Sequence, residues 1–174
     1  MTKSFYSSCC RSVESGSRRE CFAGGDLSLH KSSLTSDDIT VLINLVGDVY
    51  GVVMYGMPLS TGLNMVSKIM GQDFAELNPL AQSGVAELGN VISGQATIRF
   101  SEAGYHSNIS TPTVLIGKGM EISTLDFHRI VVPLETQYGA FTVHIALREK
   151  AAGTVGNANE GMPAMKPVAS QAQS

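Results

Sequence analysis

The chain has 174 residues, 43% of them hydrophobic, which suits a single domain with one core. Its net charge is −3 and no lysine- or arginine-rich stripe is present, which argues against nucleic-acid binding. No run approaches the ~18 apolar residues that span a bilayer, and no secretory signal pattern is seen. We therefore expect a cytoplasmic protein without membrane contact.

Cysteines and histidines do not form a metal-binding pattern. There are three cysteines, two of them adjacent, and no second pair completes a zinc site. We expect free thiols and no metal. His144 alternates with Val143 and Ile145, so it is predicted to point to the polar side of a strand. The cysteines are Cys9, Cys10 and Cys21, and the histidines are His30, His106, His128 and His144.

The first 24 residues, MTKSFYSSCCRSVESGSRRECFAG, are rich in Ser, Arg and Gly. Their few apolar residues make no sustained helical stripe, so residues 1–24 are predicted to be poorly ordered. A domain is predicted over residues 25–149. From residue 150 onward the chain is small and polar without periodicity, which predicts a disordered tail over residues 150–174.

A hairpin and a short helix open the domain. Residues 39–46 and 49–57 are predicted strands, with Gly47 and Asp48 as the turn between them. Ser60 or Thr61 is predicted to cap the following helix, and Gly71 to end it.

The main helix is predicted from Asn78 or Pro79 to Ser93, with a break at Gly94. Its core face is a stripe at i, i+4, i+7 and i+11. Glu87 and Asn90 are three residues apart, so their side chains are neighbours, nearly opposite that stripe. Two small residues, Ser83 and Gly94, share the outward face, which leaves a docking surface unobstructed. The apolar stripe consists of Ala81, Val85, Leu88 and Ile92.

Strands are predicted to follow at 96–100, 107–110 and 114–117, and a last hairpin at 129–134 and 141–147. The turn Gly117-Lys118-Gly119 lacks the spacing of a phosphate-binding loop and is predicted to end a strand. The segments LINLVGDVYGVVMY and IVVPLETQYGAFTV align without gaps, matching Tyr50-Gly51 to Tyr138-Gly139. The alignment is either convergence between two hairpins or a trace of two related halves.

Three motifs occur in a characteristic order: ELGNVISG, STPTVLIGKG and IVVPLE followed by TQYGAFTVHIAL. On these motifs the chain resembles the CheX/CheC family of chemotaxis phosphatases from about Gly25 to Glu149. The single E-x-x-N signature places it nearer the CheX branch. The resemblance implies an α+β, CheX-like domain: a largely antiparallel sheet with helices packed on one face and pseudo-symmetric halves.

The resemblance also implies an activity. Such proteins hydrolyse the phosphoaspartate of a CheY-type response regulator, usually as homodimers, and the catalytic residues would be Glu87 and Asn90. Ser83 and Gly94 would contact the partner. The chain would need no cofactor of its own, because the receiver domain supplies Mg²⁺. The alternative is a non-catalytic binding module on the same fold, similar to flagellar-switch relatives that lack the motif.

The N-terminus departs from the family, whose members carry a helix before the first hairpin. Either residues 1–24 are unrelated sequence joined to the domain, or this member lacks the helix.

Overall fold

The computed structural model describes residues 22–23, 28–30, 33–124 and 127–150. The predictions of a poorly ordered segment and of a disordered tail lie outside these residues, apart from Lys150 and a short strand at the end of the first segment. The strands are β1 (Phe22–Ala23), β2 (Ser28–His30), β3 (Ser33–Thr35), β4 (Ile39–Gly47), β5 (Val49–Met57), β6 (Ser107–Ile109), β7 (Thr113–Ile116), β8 (Glu121–Ser123), β9 (Arg129–Thr136) and β10 (Gly139–Glu149). The helices are α1 (Leu59–Met70) and α2 (Pro79–Glu102).

Eight strands form one antiparallel sheet in the order β1-β9-β10-β5-β4-β6. Strand β2 also pairs with β9 at one edge, and β7 also pairs with β4 at the other. Strands β3 and β8 form a separate two-stranded sheet. The predicted α+β class with a largely antiparallel sheet is confirmed.

One face of the sheet carries the core and both helices. Alternate residues of the central strands, including Val41 and Tyr55, are fully buried on this face. In α1, a Cβ added at Gly62 would lie 2.6 Å from Ile39 Cδ1. In α2, a Cβ added at Gly89 would lie 3.0 Å from Val41 Cγ1. Helices therefore pack on one face, as predicted, and glycines allow the close approach.

The strand pairing reveals two related halves. Tyr55 pairs with Val143 in the middle of the sheet, and Leu34 pairs with Ile122 in the two-stranded sheet. Both pairs are 88 residues apart (143 − 55 and 122 − 34), the same offset that aligns Tyr50 with Tyr138. A pseudo-twofold axis passing through both pairings accounts for this agreement, so the aligned segments occupy equivalent strands.

The ungapped alignment holds only for the second strand of each hairpin. Leu45 lies opposite Gly51, whereas Thr136 lies opposite Gly139. The first strands are therefore offset by 91 residues (136 − 45) rather than 88. The difference arises in the turns, because five residues separate Leu45 from Gly51 and two separate Thr136 from Gly139.

The predicted helix break at Gly94 and the predicted strand at 96–100 are wrong, because α2 continues to Glu102. Ala96 and Phe100 extend the apolar stripe from Ile92 at steps of four, and both are buried. Their burial favours continuation of the helix. A single glycine costs a helix only about 1 kcal/mol, which packing over two further turns outweighs.

The end of α1 is as predicted, with Gly71 in the left-handed conformation at φ 67°. Its predicted cap is wrong. The helix begins at Leu59, and the backbone N–H of Leu59 donates to Asp38 Oδ2 at 3.1 Å. An aspartate directly before β4 thus performs the role assigned to Ser60 or Thr61.

His144 projects on the face opposite the helices, as its alternation predicts, but it is only 9% exposed. The surroundings of His144 are mostly polar, as predicted, although the side chain is buried. Leu34 of β3 and Glu121 of β8 line a cavity together with His144, so the small sheet lies against this region. The sequence pattern of β10 alone carries no sign of this second layer.

Candidate active site

The helix α2 is fixed in place at its start and along its buried stripe. Asn78 Oδ1 accepts a hydrogen bond of 2.9 Å from the N–H of Ala81, and Pro79 occupies the first helical position, as predicted. The four residues of the predicted core stripe are all buried, at 0 to 8% exposure. Nothing on the outward face is needed to hold the helix.

The middle of α2 is joined to the sheet by a buried hydrogen bond. Ser93 Oγ and Tyr55 Oη are 2.7 Å apart, and Tyr55 belongs to the central strand β5. Gly89 brings the same turn against Val41. The turn that carries the candidate catalytic side chains therefore sits on a rigid support.

Glu87 and Asn90 are neighbours on the outward face. Glu87 is exposed and Asn90 is half-buried. Asn90 Nδ2 donates to Glu87 Oε2 at 3.3 Å, a long contact for a hydrogen bond. The pairing leaves the Asn90 carbonyl oxygen and the second Glu87 oxygen available to a visiting molecule.

The two predicted contact residues lie on the same face. Ser83 is exposed, and its hydroxyl donates to the carbonyl of Pro79 at 3.0 Å. A Cβ added at Gly94 would come no closer than 3.9 Å to the nearest atom, Ile109 Cδ1. The geometry thus brings Ser83, Glu87, Asn90 and Gly94 onto one open surface.

Sequence reasoning missed the apolar part of this surface. Leu80 is 49% exposed, Val91 42% and Ile98 53%. At about 100° per residue, all three lie within about 40° of Glu87 around the helix axis. Their spacing of eleven and seven residues is the sequence signal of a shared helix face. Exposed apolar side chains grouped around a polar pair are typical of a protein-binding surface.

The face offers no chemistry that acts alone. A carboxylate and a carboxamide can bind a cation and orient a water, but neither is a nucleophile activated by a base. In the parts of the chain that the structure describes, no group of three or more His, Cys, Asp or Glu residues could hold a metal ion. None of the described helices is long and apolar enough to cross a membrane.

Comparisons with known proteins identify relatives of this chain. The CheY-P phosphatase CheX of Thermotoga maritima is 31% identical over 87 residues, 49% of this chain and 56% of that protein. The chain thus matches little more than half the length of this relative. A CheC-like superfamily protein from Shewanella has a TM-score of 0.74 at 25% identity, covering 84% of this chain and 96% of its own.

A complex of CheX with CheY, BeF₃ and Mg²⁺ from Borrelia burgdorferi gives a TM-score of 0.69 at 23% identity, covering 85% of this chain and 97% of its own. At that identity the likeness concerns the fold. The family model for chemotaxis phosphatase CheX matches residues 39–135, which is 97 of the 174 residues and includes the whole outward face of α2. The chain therefore belongs to the CheX family.

Proposed function

We propose that this protein hydrolyses the phosphoaspartate of a CheY-type receiver domain, using the outward face of α2. The observation that carries the proposal is the adjacent, outward-facing pair of Glu87 and Asn90 on a helix whose other side is anchored in the core. The relative from Thermotoga maritima is named a CheY-P phosphatase, and the Borrelia burgdorferi complex joins CheX to CheY in a protein of this fold.

Asn90 is proposed to orient the attacking water. An aspartyl phosphate has a good leaving group, and the receiver domain already supplies Mg²⁺ and a lysine near the phosphoryl group. Hydrolysis then lacks only a water held in line. A carboxamide can both donate to and accept from that water, and it needs no pKa near neutrality. Catalysis by positioning follows the same logic as the glutamine of small GTPases.

Glu87 is proposed to pair with the active-site lysine of the receiver domain. It lies one helical turn before Asn90, so a salt bridge at Glu87 fixes how far Asn90 enters the partner's site. The long contact between Glu87 and Asn90 is weak enough to be exchanged for the lysine.

Docking is proposed to bury the apolar side chains around the pair. Leu80, Val91 and Ile98 flank Glu87 over about five turns of α2, while Ser83 and Gly94 keep the approach open. Burying one such side chain fully is worth about 1.5–3 kcal/mol. The homodimer that the family resemblance implies is also a proposal, and sedimentation of the purified protein would test it.

The test is a dephosphorylation assay. A CheY-type receiver domain is phosphorylated, and loss of its phosphoryl group is followed with and without this protein. We expect acceleration by the wild type and its loss in Asn90→Ala. Gln95→Ala is the matched control, because Gln95 is exposed on the same helix and lies about 140° from Asn90.

Two outcomes separate the alternatives. Binding without acceleration by the wild type would show a non-catalytic binding module. Acceleration that survives in Asn90→Ala would show a phosphatase whose catalytic residue is elsewhere. Several receiver domains should be assayed, because the sequence does not name the cognate one.

A further inference from the structure

The face of the sheet opposite the helices contains a cavity that the proposed phosphatase does not use. It has a volume of about 520 Å³ and lies between the large sheet and the small sheet formed by β3 and β8. This size suits a small molecule rather than a single ion. Its polar lining residues are His30, Ser33, Thr35, Glu121, Arg129 and His144.

Arg129 lies in the wall of this cavity. The residue is 4% exposed, and its Nε and Nη1 atoms are buried with no hydrogen-bond partner among the described residues. Among the described residues the structure gives its guanidinium no ion pair. Burial alone lowers the pKa of Arg129, yet a guanidinium stays protonated in proteins. Arg129 therefore keeps its positive charge inside the protein.

His144 lines the same cavity. Its Nδ1 is buried and has no hydrogen-bond partner within the described part of the chain. Burial, followed by the neighbouring charges of Arg129 and His30, lowers the pKa of His144 to about 4. The imidazole is therefore neutral at pH 7 and offers one N–H donor and one acceptor.

Leaving a buried cation and a buried ring nitrogen unpaired is costly, and the cost is removed when a partner is supplied. Native proteins rarely leave such groups without a partner unless the group serves a ligand or a reaction. A buried guanidinium with unpartnered N–H donors attracts the oxygen atoms of a carboxylate or phosphate.

We propose that this cavity binds a small organic molecule through its carboxylate or phosphate group, with Arg129 as the ionic anchor and His144 as a neutral hydrogen-bonding partner. Ser33 and Thr35 also line the cavity, and a hydroxyl can donate to or accept from polar atoms of a ligand. Glu121 also lines the cavity and repels a second negative charge. Ligands with a single anionic group are therefore favoured over polyanions.

The test is direct binding to the intact protein. Thermal shift and calorimetry are run with inorganic phosphate, a phosphate monoester and acetate, each against sodium chloride at equal ionic strength. We expect a saturable rise in Tm with at least one oxyanion and none with chloride. The phosphate and acetate arms show which group the site takes. Arg129→Met should weaken binding at least tenfold, whereas Arg99→Met, an equal loss of charge on α2, should leave it unchanged.

A second variant guards against misfolding of Arg129→Met. Glu121 is exposed, so Glu121→Gln should fold normally, and it should tighten oxyanion binding severalfold by removing the repelling charge. No saturable response to any oxyanion, equal binding by Arg129→Met, or unchanged affinity in Glu121→Gln would each overturn the proposal. No receiver domain is present in these experiments, so their outcome is independent of the phosphatase assay.

Discussion

The pair of Glu87 and Asn90 and the pair of Arg129 and His144 are both polar, yet the fold treats them in opposite ways. The first pair lies on an outward helix face, where water satisfies whatever its one long hydrogen bond leaves open. The second pair is buried on the other face of the sheet, and three of its nitrogen atoms have no hydrogen-bond partner among the residues that the structure describes.

This difference in burial shows two ways in which a fold can keep polar groups available to a ligand. A solvated pair changes the free energy of unfolding very little. Its loss should therefore affect only binding and activity toward a partner. A buried, unpaired pair destabilises the protein until something binds it. Stability measurements should therefore respond to changes in the second pair, and measurements of activity to changes in the first.

The largest expected effect is on catalysis. Asn90→Ala should slow stimulated dephosphorylation roughly 30- to 1000-fold, because losing a water-positioning group costs on the order of 2–4 kcal/mol in the transition state. The free energy of unfolding should stay within about 0.5 kcal/mol of the wild type, since the side chain fills no core space. Urea unfolding alongside the assay checks both. If folded Asn90→Ala kept wild-type phosphatase activity, Asn90 would not be a catalytic residue.

The next largest effect is the response of stability to acid. His144 has a folded pKa of about 4 against an unfolded value near 6.5, so its contribution is complete above pH 6.5 and is lost as pH falls toward 4. The loss amounts to about 3 kcal/mol. His144→Gln should flatten the stability profile between pH 6.5 and 4, as measured by urea unfolding at several pH values.

A second titrating group acts in the opposite direction to His144. Burial raises the pKa of Asp37, opposed by Lys118 and assisted by Asp38. Protonation of Asp37 therefore favours the folded state in acid and offsets part of the loss near pH 4. An equal slope in wild type and His144→Gln would show that His144 is not buried in its neutral form.

A smaller effect concerns docking. Glu87→Ala should weaken binding to a receiver domain activated with beryllofluoride by about 1.5–3 kcal/mol, roughly 10- to 150-fold, through loss of a charge-assisted contact. Gly94→Trp should also weaken binding by obstructing the approach. Titration at fixed salt measures both variants. Unchanged affinity in both Glu87→Ala and Gly94→Trp would exclude docking through this face of α2.

The elements that could be predicted from the sequence are those with a strong local pattern. The hairpin of β4 and β5 matches its predicted bounds to within one residue, because alternating apolar residues end at a turn. The start of α2 follows from Asn78 and Pro79. The outward positions of Glu87 and Asn90 follow from helix geometry, while their catalytic roles stay predictions.

The errors come from tertiary context. Gly94 reads locally as a helix stop, but the burial of Ala96 and Phe100 continues α2 for two more turns. The cap of α1 comes from Asp38, twenty-one residues before the N–H that it accepts from. The cavity at Arg129 and His144 depends on the pairing of β3 with β8, strands too short for any periodic signal.

The smallest expected effect concerns a third kind of polar pair, one that is buried and mutually bonded. Ser93→Ala removes the 2.7 Å hydrogen bond to Tyr55 and should cost about 1 kcal/mol of unfolding free energy. A double-mutant cycle with Tyr55→Phe isolates the energy of that bond, because each single variant already removes it and the double variant cannot remove it again. We expect a coupling energy of about 1 kcal/mol and only a modest fall in phosphatase activity, since the bond supports the turn beneath Asn90 without touching the partner. A coupling near zero would mean that packing alone, through Gly89 and its neighbours, holds this turn of α2 against the sheet.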